Sequence, residues 1–372
     1  MNNPHRIAIV GAGVAGIALA ILATKRGYQV SLYERGNRIS SIGAGVTLWP
    51  NALFVLRQME LQTEVERIGG TPQAMRQFDH FGTLQGEFDI SKVNALSGFP
   101  SVTVLRRDLM NLLASALDDL GVKIHFGCPM TAQDISELKQ DFELVVGADG
   151  RMNSVVRQTL FPSGVRPRYQ GFINIIGISE RVDDTLDHAI HDFRGPGERF
   201  GIVPAKAGVC FWAGAWNAPI DRERPLSTWY DEMHQRFQGW PDPVKKVLKT
   251  YDTASLNRIF VHDLDALPYW HRDNVLIIGD AAHAPLPTSG QGACQALEDA
   301  WHLDRLLGEQ GTIEDALTEF YQQRIDKTSA AQAVGRQVAQ RIFGHHPEPQ
   351  PPATGISPEQ LSQFWMLGLE VV

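Results

Sequence analysis

One stretch late in the chain combines residue types that suit the binding of a polar ligand. A short apolar, β-branched run at residues 275–278 predicts a buried strand that ends just before Asp280. The loop that follows is rich in turn residues, namely Pro285, Pro287, Gly290 and Gly292. A helix is predicted from about Ala293, and its N-terminus presents free N–H groups and a partial positive charge. Because ligands bind at the carboxyl ends of strands in open α/β sheets, this arrangement suits a ligand with hydroxyl groups and an anionic end. Alternatively, Asp280 only ties down a turn.

The N-terminus indicates a dinucleotide independently. An apolar strand at residues 6–10 leads into a GxGxxG turn formed by Gly11, Gly13 and Gly16, followed by an apolar helix. A second predicted strand at residues 29–33 carries Glu34 at its tip. The glycines allow a tight turn, close approach of a pyrophosphate, and close packing of helix against strand. An acid at position 34 suits an unphosphorylated ribose, as in FAD or NAD.

Composition limits the other classes of function. The chain has 372 residues, a hydrophobic content of 43% and a net charge of -8, which argues against nucleic acid or anionic lipid as a partner. The three cysteines are scattered, show no metal-binding spacing, and favour a reduced, cytoplasmic protein without a metal. Residues 7–24 carry no charge, but their glycines make a signal peptide or membrane span a poor interpretation.

Three further segments must position these groups. Residues 42–52 form a second glycine-rich loop that runs into a helix. Arg106 begins an amphipathic helix, where a cation is unfavourable unless an anion lies nearby, although a solvated arginine is the alternative. Asp149 follows a predicted strand at residues 142–146, which repeats the arrangement at Asp280 and suggests a shared cleft. Between residues 171 and 259 strands dominate, so a mixed second domain is expected there.

The combined motifs resemble the class A FAD-dependent aromatic hydroxylases, which have the p-hydroxybenzoate hydroxylase fold. The matching segments are GAGVAG with Glu34, GAGVTLWPNA, the arginine of LRRDL, GADGRMNSVVR, and GDAAHAPLPTSGQGACQALEDA, which together span residues 7–307. The resemblance implies an α/β protein with a Rossmann-type FAD-binding domain and an inserted β-rich substrate domain. The FAD-binding domain would comprise residues 1–73, 98–165 and 266–345, and the substrate domain residues 74–97, a hairpin, and 166–265. Residues 346–372 would form a proline-rich tail and a short terminal helix.

The resemblance also assigns the contacts to FAD. Gly11, Gly13, Ala15 and Gly16 would hold the pyrophosphate, while Glu34, with Arg35 beside it, would bind the adenosine ribose and Met130 would pass near the adenine. Arg106 and Asp280 would contact the ribitol and phosphates, and Asp149 belongs to a motif linked to both FAD and the nicotinamide donor. Further residues would flank the flavin ring: Gly45, Val46, Pro287, Gly290, Gly292, Ala293 and Cys294.

The implied reaction is a monooxygenation. NADH or NADPH, bound only transiently, would reduce FAD, and dioxygen would then form a flavin hydroperoxide that hydroxylates an aromatic or heteroaromatic small molecule. The partners would be that substrate and dioxygen, with no nucleic acid and no stable membrane insertion, in a monomer or homodimer. The substrate, the choice between NADH and NADPH, and the base stay open.

The substrate pocket is defined less well by the motifs. Period-two alternation places Phe211, Ala213 and Ala215 on one face of a strand, and Cys210, Trp212 and Trp216 on the other. Thr47, Phe211 and Arg199 are the candidate residues of the substrate pocket. Some relatives carry a tyrosine near Phe211 and a histidine at the position of Thr47, so neither position can supply those groups here. Arg199 is a candidate anchor for a carboxylate, with surface ion pairing or flavin contact as the alternative. We expect His191 to be structural and His283 to be a hydrogen-bonding group rather than a base.

Other activities on the same fold remain open. A related flavoenzyme acting on a natural product would be an epoxidase, an N-hydroxylase or a halogenase, and an oxygen-independent flavin reductase is a further rival. A non-enzymatic flavin-binding redox sensor is the outside alternative; it would bind FAD without substrate-stimulated consumption of NADH or NADPH.

Overall fold

The computed structural model describes residues 6–40, 43–180, 186–206, 208–309, 311–344 and 356–370. Most of the predicted proline-rich segment, residues 345–355, lies outside these ranges. The strands are β1 (Arg6–Val10), β2 (Gln29–Tyr33), β3 (Gly45–Leu48), β4 (Ala74–Asp79), β5 (Leu84–Asp89), β6 (Val102–Leu105), β7 (Ile124–His125), β8 (Leu144–Gly147), β9 (Arg168–Glu180), β10 (Ala189–Gly195), β11 (Glu198–Pro204), β12 (Val209–Asn217), β13 (Asn257–Asp263), β14 (His271–Arg272) and β15 (Val275–Ile277).

The helices are distributed along the whole chain. They are α1 (Val14–Lys25), α2 (Pro50–Gln58), α3 (Gln62–Ile68), α4 (Ile90–Ser97), α5 (Arg106–Asp119), α6 (Ala132–Asp141), α7 (Val155–Leu160), α8 (Leu226–Phe237), α9 (Asp242–Thr250), α10 (Asp280–His283), α11 (Gly292–Glu309), α12 (Ile313–Phe343) and α13 (Pro358–Met366). One prediction needs correction, because a short helix, α10, precedes the loop that was expected directly after β15.

The first sheet has the order β14-β15-β8-β1-β2-β7 and is parallel except for β14. Helix α1 connects β1 to β2 and packs against α5 and α11, so its residues from Val14 to Ala23 are all buried. The uncharged N-terminal stretch is therefore a strand and a core helix. Strand β7 is short, because only Ile124 and His125 pair with β2 at the edge of the sheet.

The second sheet has the order β13-β9-β12-β11-β10-β4-β5. Its neighbouring strands are antiparallel except for β10 and β4. Its outer face packs against α8 and α9 through a cluster of aromatic side chains that includes Trp212, Trp229 and Phe237. Its inner face packs against Ala44 and Leu105, which belong to the first part of the molecule. This α/β architecture, a Rossmann-type sheet with a second β-rich sheet against it, agrees with the predicted fold class.

The C-terminal helix α13 packs against α4 and α2. The hydroxyl groups of Ser97 and Ser362 lie 2.7 Å apart, and Lys92 pairs with Glu359 at 2.6 Å. The apolar end of the chain therefore packs back onto the FAD-binding part of the molecule. In the described ranges, no helix has both the length and the apolar character that crossing a membrane requires.

Candidate active site

The glycine turn after β1 is shaped by the packing of the protein and leaves one side open. Gly11 has a φ of 108°, and its N–H donates to the carbonyl of Tyr33 at 2.7 Å. A Cβ at Gly11 would overlap the carbonyl of Ala148, and one at Gly16 would overlap the carbonyl of Gly11. A Cβ at Gly13 would meet no atom within 4 Å. The second glycine therefore faces open space, which is where a pyrophosphate approaches in this motif.

The neighbouring residues complete the turn. Ala15 is buried, and a Cβ at Gly279 would lie 3.0 Å from the Ala15 side chain, so the turn packs against the end of β15. Glu34 accepts the N–H groups of Ala12 at 2.9 Å and Gly36 at 2.8 Å. Each carboxylate oxygen has a further lone pair, so the position fits a ribose hydroxyl group.

Arg35 and Met130, predicted to contact the adenosine part of FAD, lie near Glu34. Arg35 is exposed and follows Glu34 directly. Met130 is half-buried, and the chain leading to it is fixed by a hydrogen bond of 3.0 Å from the N–H of Cys128 to the carbonyl of Glu34. The contact of Arg35 with FAD and that of the Met130 backbone with the adenine stay predictions.

A cationic group lies next to Asp280 at the carboxyl end of β15. Burial lowers the pKa of Arg106, and the carboxylate of Asp280 opposes that shift. The buried Nε of Arg106 has no hydrogen-bond partner in the described part of the chain. The side chain lies close to Gly43, since a Cβ there would be 2.8 Å from Cδ of Arg106. An unpaired guanidinium nitrogen beside a carboxylate fits a ligand with phosphate and hydroxyl groups.

Asp149 has a structural role in addition to its predicted one. Its carboxylate accepts the hydroxyl of Ser154 at 2.5 Å and the N–H of Val156 at 3.2 Å, at the start of α7. Burial raises the pKa of Asp149, and these hydrogen bonds counteract the effect. Arg157 is also buried and donates to the carbonyl of Ala281 at 2.9 Å. The motif therefore links the loop after β8 to α10, and the predicted contact of Asp149 with FAD stays a prediction.

The two loops predicted to flank the flavin ring are held together. The indole N–H of Trp49 donates to the carbonyl of Gly290 at 3.0 Å. Sγ of Cys294 accepts the N–H of Trp49 at 3.5 Å and donates to the carbonyl of Thr47 at 3.7 Å. Burial raises the pKa of the Cys294 thiol to about 12, so this residue is a neutral packing group.

The remaining predicted ring contacts occupy these two loops. Gly292 and Ala293 begin the 18-residue helix α11 and are half-buried, so their free N–H groups border the loop. Pro287 and Gly290 are exposed, whereas Gly45 and Val46 are half-buried in β3. Phe211 packs directly on Gly45, where a Cβ would overlap its ring. The structure therefore brings the β3 loop, the loop before α11 and β12 of the second sheet into one region.

A buried ionic cluster supports this region, and the sequence did not reveal it. Arg324 on α12 pairs with Glu298 at 2.7 Å and with Asp299 at 2.9 Å, and all three side chains have no exposed surface. Asp299 also accepts the N–H of Gly279 at 2.7 Å and the ring N–H of His283 at 2.5 Å. The cluster therefore fixes the segment that carries Asp280, and His283 is a hydrogen-bonding group as expected. The available signal was the pair of adjacent acids within the apolar face of a predicted helix.

The cluster extends to the C-terminal helix. Nζ of Lys327 pairs with Glu298 at 2.8 Å and donates to the carbonyls of Trp365 at 2.6 Å and Leu367 at 3.0 Å. The ring of Trp365 lies 4.6 Å from that of Trp49, centroid to centroid. Residues near the end of the chain therefore contact the residue that holds the loop at Gly290.

The substrate side of the site is mainly apolar. Phe211 and Ala213 pack with Ala44 on the inner face of the second sheet, whereas Cys210, Trp212 and Trp216 pack on its outer face, as predicted. Arg199 is paired, because its Nε donates to the buried carboxylate of Asp192 at 2.5 Å, and Arg194 binds the same carboxylate. Thr47 is half-buried in β3. The catalytic or binding roles of Thr47, Arg199 and Phe211 stay predictions.

His191 lies on the other side of that sheet, against Phe78. Burial lowers its pKa to about 4, and the positive charge of Arg76 adds to the effect. His191 pairs in register with Ile202, which packs in the outer cluster, so its ring cannot reach a substrate at the inner face. This agrees with the structural role expected from the sequence.

Comparison with known proteins places this geometry in a family. The profile of the FAD binding domain family matches residues 5–337. The aurachin C monooxygenase/isomerase of Stigmatella aurantiaca is 28% identical over 342 residues, covering 88% of this chain and 87% of that protein. The FAD-dependent urate hydroxylase of Klebsiella pneumoniae is 27% identical over 333 residues, covering 86% and 85%.

A solved structure supports the same assignment of the fold. The structure of Klebsiella pneumoniae HpxO complexed with FAD and uric acid superposes with a TM-score of 0.82 at 24% identity, covering 98% of this chain and 92% of that one. The resemblance to the class A FAD-dependent hydroxylases that the motifs indicated is thereby confirmed. The chain belongs to the FAD binding domain family.

Proposed function

We propose that the protein is a FAD-dependent monooxygenase that uses NADH or NADPH and dioxygen to hydroxylate an aromatic or heteroaromatic small molecule. One observation carries this proposal: the loops that fit FAD border an apolar sheet face formed by Ile176, Phe211 and Ala213. A flat apolar wall beside a flavin site suits a planar substrate. Relatives named for urate and aurachin C favour a heteroaromatic ring.

The residues of the FAD site would bind and orient the cofactor. Gly13 leaves room for the pyrophosphate, Glu34 accepts a ribose hydroxyl group, and Arg106 donates to a phosphate or ribitol oxygen from its unpaired Nε. The N–H groups at the start of α11 would stabilise negative charge on the flavin ring. When bound, FAD supplies the electron transfer and the activation of dioxygen.

The second sheet would hold the substrate and exclude water. Phe211 offers a ring for stacking but no group that can accept a proton. Arg199 donates from its Nε to Asp192, and its terminal nitrogens would serve an anionic substituent. The site therefore suits a substrate that ionises readily without a protein base. We propose that the enzyme works in the cytoplasm, as a monomer or homodimer.

The proposal is tested with the purified holoenzyme. NADH and NADPH oxidation is measured with a panel of phenols, hydroxybenzoates, hydroxypyridines, quinolones and indoles, in the presence of ¹⁸O₂, and product masses are recorded. A stimulated rate with one labelled oxygen atom in the product is expected. Bound FAD without labelled product from any compound would refute the hydroxylase, and a chlorinated product that needs chloride would identify a halogenase instead.

A further inference from the structure

A polar side chain interrupts the apolar inner face of the second sheet. Along β9 the side chains alternate, so that Phe172, Asn174 and Ile176 share the inner face while Ile173 and Ile175 pack in the outer cluster. In register, Asn174 lies opposite Ala215 on β12 and Ile259 on β13. The flanking positions on its own strand and the paired positions on both neighbouring strands are therefore apolar.

The carboxamide of Asn174 has no hydrogen-bond partner within the described ranges, although the residue is only 8% exposed. Its oxygen and nitrogen are not sealed in, unlike the fully enclosed, unpaired Nε1 of Trp216. Because these atoms open onto the adjoining space, water or a bound molecule can hydrogen-bond them there. A group that reaches the carboxamide from the adjoining space would supply the missing partner.

That space lies between the two loops that border the flavin site. On one side of Asn174, Ile176 packs in a cluster with Ala44 of the β3 loop. On the other side, Phe172 packs in a cluster with Leu286 of the loop before α11. The carboxamide is therefore placed on the wall that a substrate would face, midway between these loops.

We propose that Asn174 is a specificity-determining residue that selects substrates with a cyclic amide (lactam) edge. A carboxamide presents one acceptor oxygen and two N–H donors. A ring N–H next to a ring carbonyl complements both at once and forms a pair of hydrogen bonds, whereas a simple phenol can satisfy only one of them. The inference rests on the proposed function, because it assumes that the inner face of the sheet binds the substrate.

Two ligands test the pairing in the unmodified holoenzyme. 2-Quinolone and coumarin have almost the same shape, but coumarin has an oxygen in place of the lactam N–H. Their affinities are measured from the change that each ligand causes in the flavin absorbance spectrum. We expect 2-quinolone to bind roughly 10- to 100-fold more tightly, because coumarin leaves the amide oxygen of Asn174 unpaired. Equal affinities would overturn the proposal without the need for any variant.

Two variants then assign the preference to this residue. Asn174→Leu keeps the size of the side chain and removes its hydrogen-bonding groups. Asn257→Leu makes the same change on the same face, at a residue whose amide already donates to the carbonyl of Ser255 at 3.3 Å. We expect Asn174→Leu to abolish the preference for 2-quinolone over coumarin and Asn257→Leu to retain it. A preference that survives in Asn174→Leu, or weaker FAD binding with an unchanged preference, would refute the assignment.

The outcomes separate this inference from the proposed function. If phenols are hydroxylated and lactams do not bind more tightly, the proposed monooxygenase activity is supported and the proposed role of Asn174 is refuted. If lactams bind selectively through Asn174 but no compound yields an oxygenated product, lactam recognition by Asn174 is supported and the monooxygenase activity is refuted.

Discussion

Replacement of Asp299 by asparagine tests whether the buried ionic cluster holds the flavin region together. Burial alone would raise the pKa of Asp299, but His283, Arg324 and the N–H of Gly279 outweigh it and hold the pKa at about 2, below its ordinary value of 3.8. That difference corresponds to roughly 2 kcal/mol of stability at neutral pH. Removal of one partner from a buried ion pair costs about 3–5 kcal/mol. We therefore expect Asp299→Asn to lower the free energy of unfolding by about 2–5 kcal/mol.

The matched control lies on the same helix. Glu309 pairs with Arg305 at 2.6 Å, but the Glu309 side chain is 43% exposed, so Glu309→Gln should cost less than about 1 kcal/mol. Urea denaturation of both holoenzyme variants, followed by tryptophan fluorescence, gives the two values. The reasoning is refuted if Asp299→Asn costs under 1 kcal/mol, or if the two variants are destabilised equally.

The same variant has a defined dependence on pH. Since the pKa of Asp299 lies below its value in the unfolded chain, its stabilising effect is fully present above about pH 4 and is lost as the pH falls towards about 2. The difference in stability between the wild-type protein and Asp299→Asn should therefore narrow in that interval. A difference that stays constant from pH 6 to the acid limit of folding would contradict an ionised Asp299.

Three other outcomes follow from the structure. Gly13→Ala should leave the denaturation midpoint of the FAD-free protein unchanged, since the new Cβ meets no atom within 4 Å. Calorimetry should nevertheless show FAD binding weakened at least about tenfold. An unchanged affinity would show that Gly13 does not contact the cofactor. Only the thiol of Cys128 should react with a thiol reagent in the native protein at pH 8, because burial raises the pKa of both Cys210 and Cys294 to about 12. Rapid reaction of all three thiols would show that Cys210 and Cys294 are accessible to solvent. Trp365→Ala should lower the free energy of unfolding by about 3–5 kcal/mol in urea denaturation, because its side chain is buried against Trp49. Leu367→Ala, at a residue that is 63% exposed, should lower it by less than about 0.5 kcal/mol. Similar losses in the two variants would argue against the docking of α13.

The parts of the site that could be predicted depend on residues close together in the chain. The glycine turn, α1 and Glu34 lie within residues 11–34, and their geometry follows from a strand, a turn, a helix and a strand in order. Arg106 at the start of α5 and Asp280 after β15 were found in the same way, because each follows a short apolar strand. The split between Phe211 and Trp212 followed from the period of two along β12.

The interactions that the sequence did not reveal join segments far apart. Arg324 meets Asp299 only because α11 packs on α12, and Trp49 meets Trp365 only because α13 returns to α2. Arg199 reaches Asp192 because β10 and β11 pair as neighbours. No local pattern specifies such partners, since they depend on the register and packing of whole elements. The position of Asn174 could not be predicted for a related reason, because a single asparagine in an apolar strand does not indicate which elements its side chain will lie against.

In the first sheet and its helices, packing partners lie far apart in the sequence, and this affects folding during translation. Helix α1, with ten buried residues, needs α11 as a packing partner, and β8 needs β15. About 270 residues separate the end of α1 from the start of α11, and ribosomes add roughly 5–20 residues per second. During translation, the apolar surface of α1 is therefore complete on the order of 15–50 s before α11 has been synthesised. Over that interval the nascent chain presents an unpaired, aggregation-prone surface, and cofactor capture becomes possible only near the end of synthesis.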